Sequence, residues 1–373
     1  MYRKLALVAV ASLMPSVAMA QVDCSAAAPP MVERLLPIQS ANVGYFSSHS
    51  LSSFHNNANV RRAVIMVHGL SGDAPGYYNT LFRSACRAQV DGLAPNMEQE
   101  TVLLAPHFRS TSDDVRPAGY HYWSGDHWSR GSESTTGAGV SSYAVLDALV
   151  AKLTGTVRMS PFLPFERRFP NLEMIVVAGH SAGGQFAHRY AGTNGRHGIV
   201  AGVQMRYVVS APSSFLYLDD HRPYTNRNTG VGDPYRAVSN SLIPYLPNPG
   251  FESAQYCPTS YNDWKFGLED LNNYSSAVGA TTIRQRLLAR PVTVIVGTED
   301  DDPDDDNLDN GCPARLQGTS RLLRAVRFWQ YLDIRFPLHH HSFFQVMGAD
   351  HNPDNVFIGP AGFSVGAATL FLD

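Results

Sequence analysis

The chain has 373 residues, of which 44% are hydrophobic and 16% charged, so it has enough apolar material for a large core and is unlike a disordered protein. Its 29 Lys and Arg against 32 Asp and Glu give a net charge of -3, which argues against a protein that binds nucleic acid or an anionic membrane surface. We expect one large domain with an inserted segment.

The first twenty residues have the pattern of an export signal. Arg3 and Lys4 precede an apolar run of ten residues, and Ala18-Met19-Ala20 is a small-residue cleavage site. The apolar run is too short to span a bilayer. The sequence therefore predicts a signal peptide over residues 1–20, cleavage near Ala20, and a secreted or periplasmic domain over residues 21–373 without a membrane span.

Short apolar runs alternate with amphipathic stripes along the rest of the chain. The β-rich runs cover residues 62–67, 101–105, 172–178, 206–209, 292–296 and 343–347. Hydrophobic residues at helical spacing predict helices over residues 140–153 and 322–332. This alternation is typical of a mostly parallel sheet with helices on both faces, so the predicted fold class is α/β.

Residues 212–280 interrupt this alternation. The segment contains seven prolines and is rich in Tyr and Asn, so it is not expected to supply a central strand. Its length also exceeds that of an ordinary connection. We predict an inserted cap over one edge of the sheet. The later acidic run at residues 300–306 is either a solvated loop or a cation site.

Gly179-His180-Ser181-Ala182-Gly183 follows an apolar strand and precedes a helix-like stretch. A G-x-S-x-G motif in this context is typical of a nucleophile elbow, a sharp turn that exposes its serine. Glycine is needed on both sides because the turn is strained and brings neighbouring backbone too close for a β-carbon. Ser181 is the predicted nucleophile.

A serine hydroxyl needs a base within hydrogen-bond reach and a carboxylate that orients the base. In this class of elbow the chain order is Ser, acid, His. A late strand is followed by several carboxylates, and the last strand is followed by His351. We predict His351 as the base and Asp300 as the acid, with Asp302 and Asp301 as alternatives.

Other histidines have simpler expected roles. His339, His340 and His341 precede the last strand and are expected at its far end from the site. His180 and His188 are expected to pack.

Ester cleavage builds negative charge on the carbonyl oxygen, so the site also needs hydrogen-bond donors for an oxyanion. The backbone N–H of Ala182, directly after the nucleophile, is one predicted donor. Leu70, in the loop after the strand at residues 62–67, is the other, with Gly69 letting the chain pass closely.

Four motifs in this order resemble the α/β-hydrolase fold family, in particular secreted bacterial esterases and lipases. They are the early strand followed by His68-Gly69, the elbow at residues 179–183, Gly297-Thr298-Glu299-Asp300, and His351. The likeness covers residues 60–360. It implies a mostly parallel eight-stranded sheet and hydrolysis of carboxylic esters through an acyl-enzyme. No cofactor and no metal are predicted.

A cluster of aromatic residues follows a central strand, where such sheets bind ligands. We predict Tyr122, Trp123 and Trp128 as substrate-binding residues, and a packed loop is the alternative. Trp264 and Phe266 in the insertion either close over the site or anchor the cap.

Three further points stay open at this stage. The four cysteines suggest two disulfides in an exported chain, with three connectivities, and their spacing matches no zinc motif. The substrate is a small or polymeric ester, or the same triad acts on peptides, polyesters or triglycerides, or the chain is a non-catalytic binding protein of this fold. The sequence does not predict the oligomeric state.

Overall fold

A computed structural model describes residues 24–29, 31–51, 56–94, 96–157, 164–224, 250–253, 257, 259–359 and 364–372. The predicted signal peptide at residues 1–20 lies outside the described residues. Within the described ranges, no helix has both the length and the apolar character needed to cross a membrane.

The strands, in chain order, are β1 (Arg34–Ile38), β2 (Ala41–Ser47), β3 (Arg62–Val67), β4 (Thr101–His107), β5 (Arg109–Ser110), β6 (Tyr122–Trp123), β7 (Thr156–Val157), β8 (Glu166–Arg167), β9 (Met174–His180), β10 (Gln204–Ser210), β11 (His221–Tyr224), β12 (Gly250–Ser253), β13 (Val292–Gly297) and β14 (His341–Val346). The α-helices are α1 (Ala74–Val90), α2 (Met97–Glu100), α3 (Ser142–Thr154), α4 (Ala182–Thr193), α5 (Asn273–Ser276), α6 (Ala280–Ala289), α7 (Cys312–Arg315), α8 (Arg321–Arg335), α9 (Pro353–Phe357) and α10 (Val365–Phe371). Short 3-10 helices cover His127–Arg130 and Thr259–Asn262.

The central sheet has eight strands in the order β1-β2-β4-β3-β9-β10-β13-β14. The pairs β1/β2 and β2/β4 are antiparallel, and the other neighbours are parallel. The predicted α/β fold class and eight-stranded, mostly parallel sheet are confirmed. All six predicted strands are present, β3 with the predicted ends and the other five with shifted ends, whereas β1 and β2 of this sheet were not predicted.

Both faces of the sheet are covered, and β3 shows how the sequence achieves this. Ala63, Ile65 and Val67 belong to the core on one face, while Val64 and Met66 belong to the core on the other. All five side chains are fully buried. Because successive residues of a strand point to opposite faces, a strand buried on both sides must be continuously apolar, as this run is.

Helices from different parts of the chain complete the two cores. Apolar side chains of α3, α4, α6 and α8 pack on one face, and those of α1, α9 and α10 pack on the other. The helices predicted over residues 140–153 and 322–332 correspond to α3 and α8.

The described residues of the predicted insertion at 212–280 supply no strand to the central sheet. They include the antiparallel pair β11/β12 and the helix α5. Two disulfides join Cys24 to Cys86 and Cys257 to Cys312. The second joins the insertion to α7, after the acidic run. The structure thus selects one of the three connectivities that the sequence allowed.

The turn between β9 and α4 lies against the end of β3. A β-carbon built on Gly183 would lie 2.1 Å from Val67 O and 2.6 Å from His68 O. These are backbone atoms, so neither can rotate away.

We predict that Gly183→Ala lowers the free energy of unfolding by about 3 kcal/mol or more, because the methyl group must displace the end of β3 or the start of α4. Urea unfolding monitored by circular dichroism measures this. Gly195→Ala is the matched control, since an added β-carbon there meets no atom within 4 Å. Equal stability of the two variants would contradict the prediction.

Candidate active site

The predicted nucleophile occupies a strained turn. Ser181 has φ 57° and ψ -119°, a backbone conformation that residues other than glycine rarely adopt. Its N–H donates to Ser210 O over 2.9 Å, and its carbonyl accepts from Gln185 N over 3.0 Å. The backbone of Gly179 packs closely against that of Gly183, and a β-carbon on Gly179 would lie 2.2 Å from Gly183 O. The turn therefore requires glycine at this position. The strand, turn and helix context expected of an elbow is therefore present.

The structure brings the predicted base and acid together. His351 Nδ1 lies 2.7 Å from Asp300 Oδ2, and Asp300 is 4% exposed. Because a carboxylate only accepts, Nδ1 donates and the Nε2 of a neutral ring remains an acceptor. Neither alternative acid bonds to His351, and Asp302 instead accepts a hydrogen bond from Asp304 N.

A buried arginine that the sequence reasoning missed holds this carboxylate. Arg321 is 1% exposed, and its Nη1 lies 3.4 Å from Asp300 Oδ1 and 3.1 Å from Asp305 Oδ2. Hydrogen bonds from Arg321 hold the pKa of Asp305 below its ordinary value. Part of the acidic run is therefore neutralised by a side chain at the start of α8, which no local spacing in the sequence indicates.

His180, expected only to pack, also joins the loops of the site. Its Nε2 donates to His351 O over 3.0 Å, and its Nδ1 accepts from Ser210 Oγ over 2.8 Å. Burial lowers the pKa of His180 well below its ordinary value, so the ring is neutral. Since His180 precedes Ser181 directly, this bond fixes the backbone of the predicted base beside the predicted nucleophile. The structure has no hydrogen bond between Ser181 Oγ and His351 Nε2.

Ser181 lies at the wall of a cavity of about 350 Å³. Polar and charged residue types outnumber apolar ones among the residues that line it, which are Leu70, Asp126, Ser181, Ala182, Gln185, Ser213, Lys265, Asp306, Asn307, Leu308 and Asp309. Both predicted oxyanion donors are in this set. Neither the N–H of Leu70 nor that of Ala182 donates to another described residue.

The loop that carries Leu70 is held by His68, a residue whose role the sequence did not reveal. His68 Nδ1 donates to Gly69 O over 2.8 Å, and His68 Nε2 accepts from Phe108 N over 3.0 Å. Gly72 N also donates to Gly69 O, over 3.3 Å. The carbonyl of Gly69 and the N–H of Leu70 belong to one planar trans peptide and point in opposite directions. Fixing that carbonyl therefore fixes the direction of the Leu70 N–H.

Comparison with known proteins gives a likeness in structure only. No known family model matches the sequence, and no curated protein matches it. A poly(3-hydroxybutyrate) depolymerase from Bordetella parapertussis, LpqC, has a similar structure with a TM-score of 0.52 and 16% identity, covering 93% of this chain and 96% of that one. Poly(aspartic acid) hydrolase-1 from Sphingomonas sp. KT-1 matches with a TM-score of 0.48 and 16% identity, over 87% and 95% of the two chains. The chain has the α/β-hydrolase fold.

Two of the three aromatic residues predicted to bind substrate are core residues of this α/β-hydrolase fold. Trp123 is fully buried, and its Nε1 donates to Ser132 O over 2.9 Å. Trp128 is 1% exposed and packs on His68, with ring centroids 4.5 Å apart, and on Phe108. Both rings are enclosed by packing and neither lines the cavity that contains Ser181, which favours the alternative of a packed loop; substrate contact by Trp123 and Trp128 stays a prediction.

The third aromatic residue, Tyr122, is half-buried, donates to Pro117 O and does not line the cavity that contains Ser181. In the insertion, Trp264 anchors its segment by donating to Arg130 O over 2.8 Å. The next residue, Lys265, is the one that reaches the cavity.

His188 and His341 lie where the sequence analysis predicted them. His188 is fully buried and packs edge-on against Phe215 and Phe328. His341 begins β14, at the opposite end of this strand from His351, and its Nε2 donates to Leu287 O.

One group of described side chains has the arrangement of metal ligands. Ligand atoms of Asp219, Asp220 and His221 lie within 4.8 Å of one another. Asp219, however, already accepts from the Tyr331 hydroxyl and from Arg335. None of the three lines the cavity that contains Ser181.

We predict that the free energy of unfolding falls as the pH is lowered from about 6.5 towards 3. Burial lowers the pKa of His68 to about 3 and the pKa of His180 and His188 well below the ordinary value. In this window the unfolded chain binds protons that the folded chain does not, which costs up to about 1.4 kcal/mol per pH unit for each histidine. Urea unfolding at pH 7 and pH 5 tests this, and equal free energies at the two values would contradict it.

Proposed function

We propose that this protein is an exported serine hydrolase that cleaves carboxylic esters through an acyl-enzyme. The observation that carries the proposal is the hydrogen bond between His351 Nδ1 and Asp300 Oδ2, in a loop that His180 ties to the strained turn of Ser181. A paired histidine and carboxylate beside a strained serine turn is the arrangement that nucleophilic catalysis requires.

In the proposed reaction, Ser181 Oγ attacks the ester carbonyl carbon while His351 Nε2 takes the hydroxyl proton. The carbonyl electron pair moves onto oxygen, and the tetrahedral intermediate then expels the alcohol, which receives the proton from His351. Water repeats the two steps and releases the acid. Asp300 stabilises the imidazolium that forms, and Arg321 holds Asp300 in place.

The N–H groups of Leu70 and Ala182 are the proposed oxyanion donors. Both residues line the cavity of Ser181, and each donor of this kind contributes roughly 3 kcal/mol to transition-state stabilisation. His68 holds the peptide between Gly69 and Leu70 before substrate binds. Orienting this peptide therefore costs no further conformational entropy during the reaction.

The proposal requires Ser181 Oγ and His351 Nε2 to form a hydrogen bond in the substrate complex. Catalytic hydrogen bonds of this type are often long or misaligned without substrate and tighten when it binds. A turn of the Ser181 side chain about χ1 is the movement we propose.

Export and substrate class are part of the same proposal. Two disulfides fit an oxidising compartment outside the cytoplasm. The substrate is a carboxylic ester, either small or polymeric. Polyesters are included because the similar structure from Bordetella parapertussis is named as a poly(3-hydroxybutyrate) depolymerase.

The test is the kinetics of four variants on 4-nitrophenyl butyrate. We expect Ser181→Ala, His351→Ala and Asp300→Asn each to lower kcat by about 10³-fold or more. Asp302→Asn is the matched control, since Asp302 is exposed and bonds within its own loop, and its kcat is expected to stay within about twofold of the wild type.

Three results would contradict the proposal. Loss of turnover in Asp302→Asn alone would identify Asp302, and not Asp300, as the carboxylate that orients His351. Cleavage of peptide anilides without cleavage of esters would show that the substrate is an amide and not an ester. Full activity of Ser181→Ala would remove the serine mechanism and favour a binding protein of this fold.

A further inference from the structure

Gln185 lies on α4, one helical turn after Ser181, and lines the same cavity. Only 4% of its surface is exposed. A carboxamide has an acceptor end and a donor end, and a buried polar group is costly unless it is paired. The question is therefore which end of Gln185 faces the cavity.

The hydrogen bonds of the oxygen answer it. Gln185 Oε1 accepts from Arg189 Nη1 and Nη2, each at 3.3 Å, and from Ser214 Oγ at 2.9 Å. A guanidinium has donors and no acceptor, so the group that faces Arg189 must be the oxygen. The NH₂ group of Gln185 is therefore directed away from Arg189.

Arg189 fixes this orientation firmly because it is itself fully buried. It makes no salt bridge with any described carboxylate, and its partners are Gln185, Ser214 and the carbonyl of Lys265, to which its Nε donates over 3.0 Å. A buried cation held by neutral acceptors cannot rotate away without losing them. Arg189 thus joins the carboxamide of Gln185 to the backbone of Lys265, another residue of the cavity wall.

The donor end of Gln185 has no partner. No acceptor of a described residue lies within hydrogen-bond distance of Nε2. An oriented donor on a residue that is almost completely buried, at the edge of the cavity containing the nucleophile, is suited to an oxygen atom of a bound molecule.

The rest of the lining agrees with an oxygen-bearing ligand. Leu70, Ala182 and Leu308 are its apolar members, while Lys265 and Ser213 are among its polar ones. Lys265 Nζ is held 3.0 Å from Asp309 Oδ2. A plain hydrocarbon chain in this cavity would cover charged and polar groups without satisfying them, which is unfavourable.

We infer that Gln185 is a specificity-determining residue whose carboxamide NH₂ donates to an oxygen that the substrate carries in addition to its scissile ester. The substrate class is therefore hydroxy- or alkoxy-substituted esters rather than plain alkyl esters. This inference rests on the proposed function of Ser181.

Gln185→Glu tests it with little change of shape. One carboxylate oxygen keeps the hydrogen bonds from Arg189 and Ser214, while the other replaces the NH₂ donor by an acceptor. The new carboxylate also pairs with the buried charge of Arg189, so the variant is expected to fold with a Tm at or above that of the wild type.

In each of two substrate pairs, a hydroxyl group in one ester takes the place of a methyl group of similar size in the other. The acyl pair is 4-nitrophenyl 3-hydroxybutyrate and 4-nitrophenyl 3-methylbutyrate, and the alcohol pair is 2-hydroxyethyl butyrate and propyl butyrate. We expect the wild type to prefer the oxygen-bearing member of at least one pair, and Gln185→Glu to lower that ratio of kcat/KM roughly three- to tenfold. Because each ratio of kcat/KM values is measured with one enzyme preparation, a loss of active protein does not change it.

Gln330→Glu is the matched control, because Gln330 Oε1 also accepts from an arginine of its own helix, Arg327, but lies outside the cavity lining. Its ratios should equal those of the wild type. Equal ratios in the wild type and Gln185→Glu for both pairs, or no preference in the wild type, would overturn the inference while the esterase proposal stood. No turnover of any of the four esters, with no labelling of Ser181 by a fluorophosphonate, would overturn both.

Discussion

Gly183 brings the first turn of α4 so close to Val67 and His68 that no side chain fits between them. That contact sets where the turn of Ser181 meets the loop after β3, and so brings the predicted nucleophile and Leu70 to one cavity. Parallel strands make it available, because the carboxyl ends of β3 and β9 lie side by side at one edge of the sheet. The parallel sheet thus places the two loops at the same edge, and Gly183 allows their backbones to approach closely.

Two buried, neutral histidines then hold the loops that the sheet leaves free. His68 orients the peptide before Leu70, and His180 binds the carbonyl of His351. Each uses one ring nitrogen as donor and the other as acceptor, so protonation of either ring would break a hydrogen bond. The geometry of the site and the acid sensitivity of the fold therefore have the same physical origin.

Local sequence patterns were sufficient to predict the fold and the positions of much of the candidate site. The apolar runs predicted the parallel strands because a strand buried on both faces has no polar positions, and the G-x-S-x-G context located the strained turn at Ser181. Arg321 and Gln185 were not predicted, because their importance depends on partners that are distant in sequence or on the direction of one carboxamide. Trp123 and Trp128 were assigned to substrate because residue type alone does not distinguish a lining ring from a packed one.

The central claim is that the hydroxyl of Ser181 is a reactive nucleophile in the folded protein. Treatment with a fluorophosphonate, followed by mass spectrometry of the proteolytic peptides, tests this most directly. The account predicts one phosphonyl adduct, on Ser181, that is absent from urea-unfolded protein and strongly reduced in His351→Ala. Folded protein that remains unlabelled, or that carries its adduct on another residue, would contradict it.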